Sequence, residues 1–253
     1  MSWKHAASTV TGRSHADRGE YGQDYHRAGT LQIADYTFFI GLVADGAGST
    51  TDGGRGAEIA CETAWLCILE TLREEPDLSK ITDNKIRQWF TAARDAVRKE
   101  ADANGKRLRD YACTLLGAVI GENEAIFFQI GDGAIVTGKA GEYETIFWPE
   151  QGEYANTTFF LSDDTFAEHL MIRYGNAAPV ETALFTDGLQ TLALSFSSKR
   201  AHAGFFQPLF DAVRRDSGND FSVFSQQLNR FLLRDDVSAR SDDDKTLVLA
   251  VRV

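Results

Sequence analysis

The chain has 253 residues, of which 43% are hydrophobic, and 37 Asp or Glu against 26 Lys or Arg give a formal net charge of −11. This acidic balance, without a long run of Lys or Arg, argues against nucleic acid and against an anionic membrane as partners. No apolar stretch reaches the roughly 18 residues that span a bilayer. We expect one domain over residues 1–253, because no repeat, linker or low-complexity segment divides the chain.

The cysteines and the first residues indicate where the protein works. Cys61, Cys67 and Cys113 are an odd number without C-x-x-C spacing, which is typical of reduced, buried thiols. The start of the chain has no apolar stretch of the kind found in signal peptides. We therefore expect a cytoplasmic protein.

The first half of the chain predicts strands followed by two helices. Residues 6–13 read as a short strand that enters a polar loop over residues 14–25, and residues 31–44 hold strands dense in β-forming side chains. Apolar residues at spacings of three and four predict helices over residues 55–73 and 83–104.

The second half predicts more strands, two helices and a closing strand. Strands are expected over residues 112–120, 125–130, 134–137 and 143–147 as one antiparallel meander, then over 180–185 and 245–251, with helices over 202–215 and 220–233. The pattern loosens over residues 148–178, which we interpret as a mobile flap. This order predicts an α+β fold with helices packed outside sheets.

Aspartates recur at the ends of the apolar strands. Asp45, Asp132 and Asp187 follow such strands and are each followed by glycine, while Asp243 precedes the last strand and Asp24 an early one. Any one of them alone could be a turn residue. If they converge, they raise each other's pKa unless cations neutralise them, and hard oxygen ligands suit Mg²⁺ or Mn²⁺. The series predicts a two-metal hydrolase site.

Other common site chemistries lack their sequence signals. The glycine-rich stretch over residues 46–54 has no lysine followed by Ser or Thr, so it is not a phosphate-binding P-loop. No serine lies in a G-x-S-x-G turn. The five histidines show no paired spacing of the kind that zinc sites use.

The motifs, taken in order, resemble the metal-dependent protein phosphatase family, protein phosphatase 2C. They are Gln23-Asp24, Val43-Ala44-Asp45-Gly46-Ala47-Gly48, Cys113-Thr114-Leu115-Leu116, Ile130-Gly131-Asp132-Gly133, Phe185-Thr186-Asp187-Gly188-Leu189 and Asp243-Asp244-Lys245-Thr246. They span residues 12–253, and the chain looks most similar to the short bacterial members. The resemblance implies a β-sandwich of two antiparallel sheets flanked by pairs of α-helices.

The resemblance also implies a site and a reaction. Two Mn²⁺ or Mg²⁺ ions would hold a bridging hydroxide that attacks phosphoserine or phosphothreonine in a protein, such as the product of a cognate Ser/Thr kinase in a signalling pathway. Asp45 would bridge the ions and the Gly46 carbonyl would bind one of them. Asp187 and Asp243 would complete one metal's ligands, Asp24 would act mainly through water, and Asp132 would help to hold a third ion. Asp45, Asp187 and Asp243 are the expected catalytic residues.

The chain departs from the family pattern at three places. The family's phosphate-binding arginine lies about five residues before the first acid pair, and here Arg18 lies six residues before Asp24, with His15 as the second candidate. The histidine that eukaryotic members place after Asp-Gly is Ala47, so protonation of the leaving group would fall to water. Gly133 and Ala134 replace the family's Ser-Arg, which weakens the expectation of a third metal.

Two alternatives to a protein phosphatase stay open at the level of sequence. One is a non-catalytic relative that binds phosphoproteins, although such a copy would be expected to lose Asp45, Asp187 or Asp243, and all three are present. The other is a hydrolase of small phosphate esters, because no basic substrate patch or regulatory domain is evident.

Overall fold

Within the residues that the computed structural model describes, 2–149, 158–215 and 221–253, two antiparallel five-stranded sheets form the centre of the molecule. The strands are β1 (Trp3–Val10), β2 (Asp24–Ile33), β3 (Tyr36–Asp45), β4 (Leu115–Ile120), β5 (Ala125–Ile130), β6 (Ala134–Lys139), β7 (Glu142–Thr145), β8 (Met171–Gly175), β9 (Glu181–Phe185), β10 (Leu194–Ser195), β11 (Arg200–Ala201) and β12 (Lys245–Arg252). One sheet has the order β1-β12-β9-β6-β7 and the other β2-β3-β4-β5-β8, while β10 and β11 form a separate pair.

Helix pairs cover the outer face of each sheet. The helices are α1 (Arg13–Ala16), α2 (Gly53–Glu74), α3 (Asp83–Ala103), α4 (Phe166–His169), α5 (Gln190–Ala193), α6 (Ala203–Arg215), α7 (Phe221–Leu232) and α8 (Asp235–Ser238). One core forms where α2 and α3 pack on the sheet that contains β3. A second forms where α6 and α7 pack on the other sheet, and a third lies between the sheets. The expected flanked sandwich is confirmed.

Strand β3 shows why the central strands read as unbroken apolar runs. Phe38, Ile40 and Leu42 point into the core under α2 and α3, while Phe39 and Val43 point into the core between the sheets. Alternate side chains of a strand leave opposite faces, and here both faces are covered, so apolar residues are required at every position.

The predicted helices in the first half are confirmed to within two residues at each end, since α2 begins at Gly53 and α3 ends at Ala103. Thr82 caps α3 by accepting a hydrogen bond from the Lys85 N–H. One expectation is wrong nearby: the polar loop predicted over residues 14–25 contains the last three residues of α1 and the first two residues of β2.

The predicted meander of four strands is also wrong. Strands β4 and β5 pair in one sheet, whereas β6 and β7 pair in the other, so the chain crosses between the sheets at residues 131–133. Gly131 adopts a φ of 105°, which a residue with a side chain rarely does. A turn of this kind looks in sequence like an ordinary hairpin corner, and only packing between the sheets reveals the crossing.

The segment interpreted as a flap contains regular structure. Helix α4 lies within it, and β8 pairs with β5 as an edge strand of the sheet. The rest of that prediction falls partly on residues 150–157, which lie outside the described residues. Among the described helices, none is both long and apolar enough to span a membrane. The single domain over residues 1–253 stays a prediction.

Candidate metal centre

The strand ends bring the predicted aspartates to one end of the sandwich. Asp24 and Asp45 face each other as paired residues of β2 and β3. Asp187 follows β9 and Asp243 precedes β12, and those two strands run antiparallel as neighbours, which places both residues at the same end. Asp132 lies in the crossing between β5 and β6.

Asp45 is the meeting point of these side chains. Its interaction with Asp187 partly offsets the burial and the repulsion that raise the pKa of Asp187. Desolvation, followed by repulsion from Asp24, Asp187, Asp243 and Asp132, raises the pKa of Asp45 well above its usual value. Four acids therefore act on Asp45.

Asp24 is held by two hydroxyl groups that sequence reasoning missed. Its Oδ2 accepts hydrogen bonds from Thr186 Oγ1 at 2.7 Å and from Thr246 Oγ1 at 2.8 Å, and the residue is 8% exposed. Burial nevertheless raises the pKa of Asp24 to about 8. The sequence positions of these threonines could have revealed them. Thr186 directly precedes Asp187, and Thr246 lies three residues after Asp243.

The hydroxyl network continues away from the site. Thr246 Oγ1 lies 2.7 Å from Thr9 Oγ1, which lies 2.8 Å from His26 Nδ1. A hydroxyl has one proton, so Thr246, which donates to Asp24, must accept from Thr9, and Thr9 must accept from His26. The network thus fixes one orientation of the Asp24 carboxyl group.

Two glycines after aspartates are required by close backbone contacts. A Cβ on Gly46 would lie 2.2 Å from the Gly53 carbonyl carbon at the start of α2, and one on Gly188 would lie 1.9 Å from the Asp244 carbonyl oxygen. The Asp45 N–H donates to Thr114 Oγ1 at 2.9 Å, and the Gly46 N–H donates to the Gln23 carbonyl at 3.1 Å. These contacts fix the backbone that presents Asp45 and the Gly46 carbonyl.

Asp132 and Asp243 lie at the margin of the cluster. Thr158 Oγ1 donates to Asp132 Oδ2, and Asp132 repels both Asp187 and Asp45. Asp243 Oδ1 accepts from the Asp244 N–H at 2.9 Å. Burial raises the pKa of Asp243, which is partly exposed.

The buried cation near the cluster, Lys245, donates its Nζ to the Asp243 carbonyl oxygen at 2.7 Å and interacts electrostatically with Asp243 and Asp24. None of the described ion pairs joins a Lys or Arg side chain to Asp24, Asp45 or Asp187. Asp24 Oδ1 and Asp187 Oδ1 are buried oxygens without a hydrogen-bond partner. Buried carboxylates of this kind are costly unless cations neutralise them, so the residues present fit divalent metal ions.

Asp244, a residue to which the sequence assigned no role, fastens a loop to the site. It is 2% exposed, and its carboxylate accepts from the Gly12 N–H at 2.7 Å and from the Gln23 N–H at 2.5 Å. These two donors lie at the ends of the loop over residues 12–23. Asp244 therefore positions the loop that carries both candidate phosphate-binding residues.

The structure places those two candidates differently. Arg18 is exposed, and its Nε donates to Glu20 Oε2 at 2.7 Å. It lines a cleft of about 680 Å³ together with Gln23, the residue before Asp24. His15 is 3% exposed and lies beside Asp244. Arg18 is thus the candidate that solvent and substrate can reach.

The two packed sheets, their outer helix pairs and the converging aspartates define a metal-dependent phosphatase. The family model for protein phosphatase 2C matches residues 11–233. Serine/threonine-protein phosphatase 3 from Escherichia coli (strain K12) is 31% identical over 252 residues, covering 99% of each chain.

Solved structures agree on the fold. The serine/threonine phosphatase Stp1 from Staphylococcus aureus aligns over 100% of this chain and 96% of that one, with a TM-score of 0.62 at 15% identity. The catalytic domain of the serine threonine protein phosphatase PstP, in complex with two manganese ions, aligns with a TM-score of 0.61 at 15% identity, over 98% of this chain and 97% of that one. The chain belongs to the protein phosphatase 2C family, which confirms the predicted family, fold class and phosphoprotein phosphatase activity.

Proposed function

We propose that this protein hydrolyses phosphoserine and phosphothreonine in protein substrates with two divalent cations, Mn²⁺ or Mg²⁺, held at the Asp45 end of the sandwich. One observation carries the proposal: Asp24 and Asp45 are paired across β2 and β3, Asp187 acts electrostatically on Asp45, and none of the described ion pairs supplies these three acids with a Lys or Arg. Ionised carboxylates that lie near one another repel, and a pair of cations removes that repulsion.

The residues would share the ions in a definite way. Asp45 would bridge both, the Gly46 carbonyl would bind one, Asp187 and Asp243 would bind the other, and Asp24 would orient water. When bound, such ions lower the pKa of water and neutralise charge on the phosphoryl oxygens. Asp132, at the margin, would contribute to a third and weaker site.

The remaining steps fall to the protein's own side chains. Glu20 occupies the Nε of Arg18, so the two Nη groups of Arg18 are the donors that can pair with phosphoryl oxygens. Thr186 and Thr246 hold Asp24 in one orientation. The position after Asp45-Gly46 is Ala47, which carries no proton, so solvent water protonates the departing serine or threonine oxygen.

A phosphopeptide panel tests the proposal. The purified chain is assayed on phosphoserine, phosphothreonine and phosphotyrosine peptides and on p-nitrophenyl phosphate, with Mn²⁺, with Mg²⁺ and with excess chelator. We expect turnover of the first two peptides only when metal is added. Full activity in chelator would reject the metal centre, turnover of p-nitrophenyl phosphate alone would favour a small-ester hydrolase, and no turnover would favour a non-catalytic phosphoprotein-binding protein.

The choice between Mn²⁺ and Mg²⁺ is a part of this proposal that the same assay addresses, and a third ion at Asp132 stays a prediction. A cognate Ser/Thr kinase, a role in signalling and a cytoplasmic location stay predictions.

A further inference from the structure

A buried histidine lies beside the candidate metal centre and has no part in the proposed reaction. One ring nitrogen of His15, one carboxylate oxygen of Asp243 and one of Asp244 all lie within 4.8 Å of one another. His15 is 3% exposed and Asp244 is 2% exposed, whereas Asp243 is the member of the group that solvent reaches.

The contact between His15 and Asp244 has the distance of a hydrogen bond without its geometry. His15 Nδ1 lies 3.2 Å from Asp244 Oδ1, yet Nδ1 has no hydrogen-bond partner. Two ligand atoms bound to one cation at about 2.1 Å stand about 3.0–3.4 Å apart, with the nitrogen lone pair directed at the ion rather than at the oxygen. The contact therefore has the form expected for two ligands of one ion.

One ion can bind only one nitrogen of the imidazole ring, and Nδ1 is the nitrogen beside Asp244. Nε2 of His15 is also buried and without a hydrogen-bond partner. A buried polar atom left unpaired costs about 1–3 kcal/mol, so the unpaired Nδ1 is expected to have a ligand. The Asp244 carboxylate cannot move freely to satisfy the ring, because the N–H groups of Gly12 and Gln23 hold both of its oxygens.

We propose that His15, Asp243 and Asp244 bind a divalent transition-metal ion at a site that shares Asp243 with the two-metal centre. An imidazole nitrogen beside carboxylate oxygens suits Zn²⁺ and disfavours Mg²⁺, which prefers oxygen ligands. The site thus differs in metal preference from the all-oxygen centre around Asp45. The proposal concerns metal binding alone and does not depend on which phosphate ester the protein hydrolyses.

Calorimetry of the full chain in a large excess of Mg²⁺ reduces Zn²⁺ binding at the oxygen sites, because Mg²⁺ competes for them, and the comparison of variants then isolates the contribution of His15. Zn²⁺ is titrated into the wild type, into His15→Gln and into His202→Gln, a matched change at an exposed histidine. We expect His15→Gln to bind Zn²⁺ at least about tenfold more weakly and His202→Gln to match the wild type. Equal Zn²⁺ affinity in all three proteins would overturn the proposal.

Nuclear magnetic resonance of the wild type keeps the test decisive if His15→Gln fails to fold. With ¹⁵N-labelled histidine, Zn²⁺ should shift a ring-nitrogen resonance of His15, while the resonances of His202 stay in place. Unmoved His15 resonances at saturating Zn²⁺ would contradict the site. Turnover of p-nitrophenyl phosphate with Mn²⁺, measured on the same preparation, reports separately on the phosphatase proposal.

Discussion

The acids at the two ends of strand β9 have opposite surroundings, since one has a charged partner and the other has none among the described ion pairs. At one end Glu181 is 1% exposed, and the guanidinium of Arg214 pairs with it, while Asp211 pairs with the same guanidinium at 2.9 Å. At the other end Asp24 and Asp187 both raise the pKa of Asp45, and none of the described ion pairs joins a Lys or Arg to these acids. An acid with a permanent partner is part of the structure, whereas acids without one are poised for a ligand.

The sharpest test of this comparison removes one acid from each end. We expect Asp45→Asn to lower kcat by at least about two orders of magnitude, because it removes the group that would bridge the ions. We expect Glu181→Gln to leave kcat within about twofold and to lower the free energy of unfolding by about 1–3 kcal/mol. Steady-state kinetics and urea unfolding measure both.

Circular dichroism controls for the fold of each variant. Near-wild-type turnover by Asp45→Asn would show that the bridge is misplaced. A comparable loss of activity in Glu181→Gln would remove the distinction between the two ends.

The next test follows stability with pH in the metal-free protein. Burial raises the pKa of Asp24 to about 8 and of Asp187 to about 7, from a usual value of 3.8. Between about pH 4 and pH 8 the native state therefore binds more protons than the unfolded state, so stability falls as pH rises through that window. Urea unfolding in chelator should give a smaller free energy of unfolding at pH 8 than at pH 5.5.

Saturating Mn²⁺ should diminish this difference, because the ions favour ionised carboxylates and compete with protons. Calorimetry in buffers of different ionisation enthalpy should show proton release on Mn²⁺ binding at pH 6. A metal-free protein whose stability stays level or rises over the window would mean that the acids are neutralised within the fold.

The sequence predicted the end with unpaired acids far better than the opposite end. Asp45-Gly46 and Asp187-Gly188 follow apolar strands, and an Asp-Gly pair in this position can be recognised in a sequence without knowledge of the topology. The partner of Glu181 could not be predicted, because Arg214 is 33 residues away on a helix whose docking is decided by packing.

Two other misses have physical reasons as well. The half-exposed residues of β8 give only a weak strand pattern, since an edge strand needs few buried side chains. Asp244 reads as one more acid in an acidic run, and its role depends on backbone N–H groups at Gly12 and Gln23, which no side-chain pattern reveals.

Substitution of one arginine near each end separates an effect on KM from an effect on stability. Arg18→Ala should raise KM for p-nitrophenyl phosphate and for phosphopeptides by about tenfold with little change in stability, because the side chain is exposed and would pair with the phosphoryl group. Arg214→Ala should lower stability and leave KM unchanged, because it holds Glu181. Activity and unfolding measured on the same samples separate the two effects, and an unchanged KM in Arg18→Ala would reject its role.

The smallest effect is expected from two threonines that sit near opposite ends of the sheet. Thr246→Val removes a hydroxyl that donates to Asp24 at 2.8 Å, so the carboxyl group loses part of its orientation and apparent Mn²⁺ affinity should fall about fivefold, or about 1 kcal/mol. Thr182 on β9 is fully buried, and its hydroxyl has no hydrogen-bond partner. Thr182→Val therefore removes an unpaired group and should leave Mn²⁺ affinity unchanged, with equal or greater stability. Equal losses of Mn²⁺ affinity in both variants would mean that the threonines act through packing and not through the hydrogen bond to Asp24.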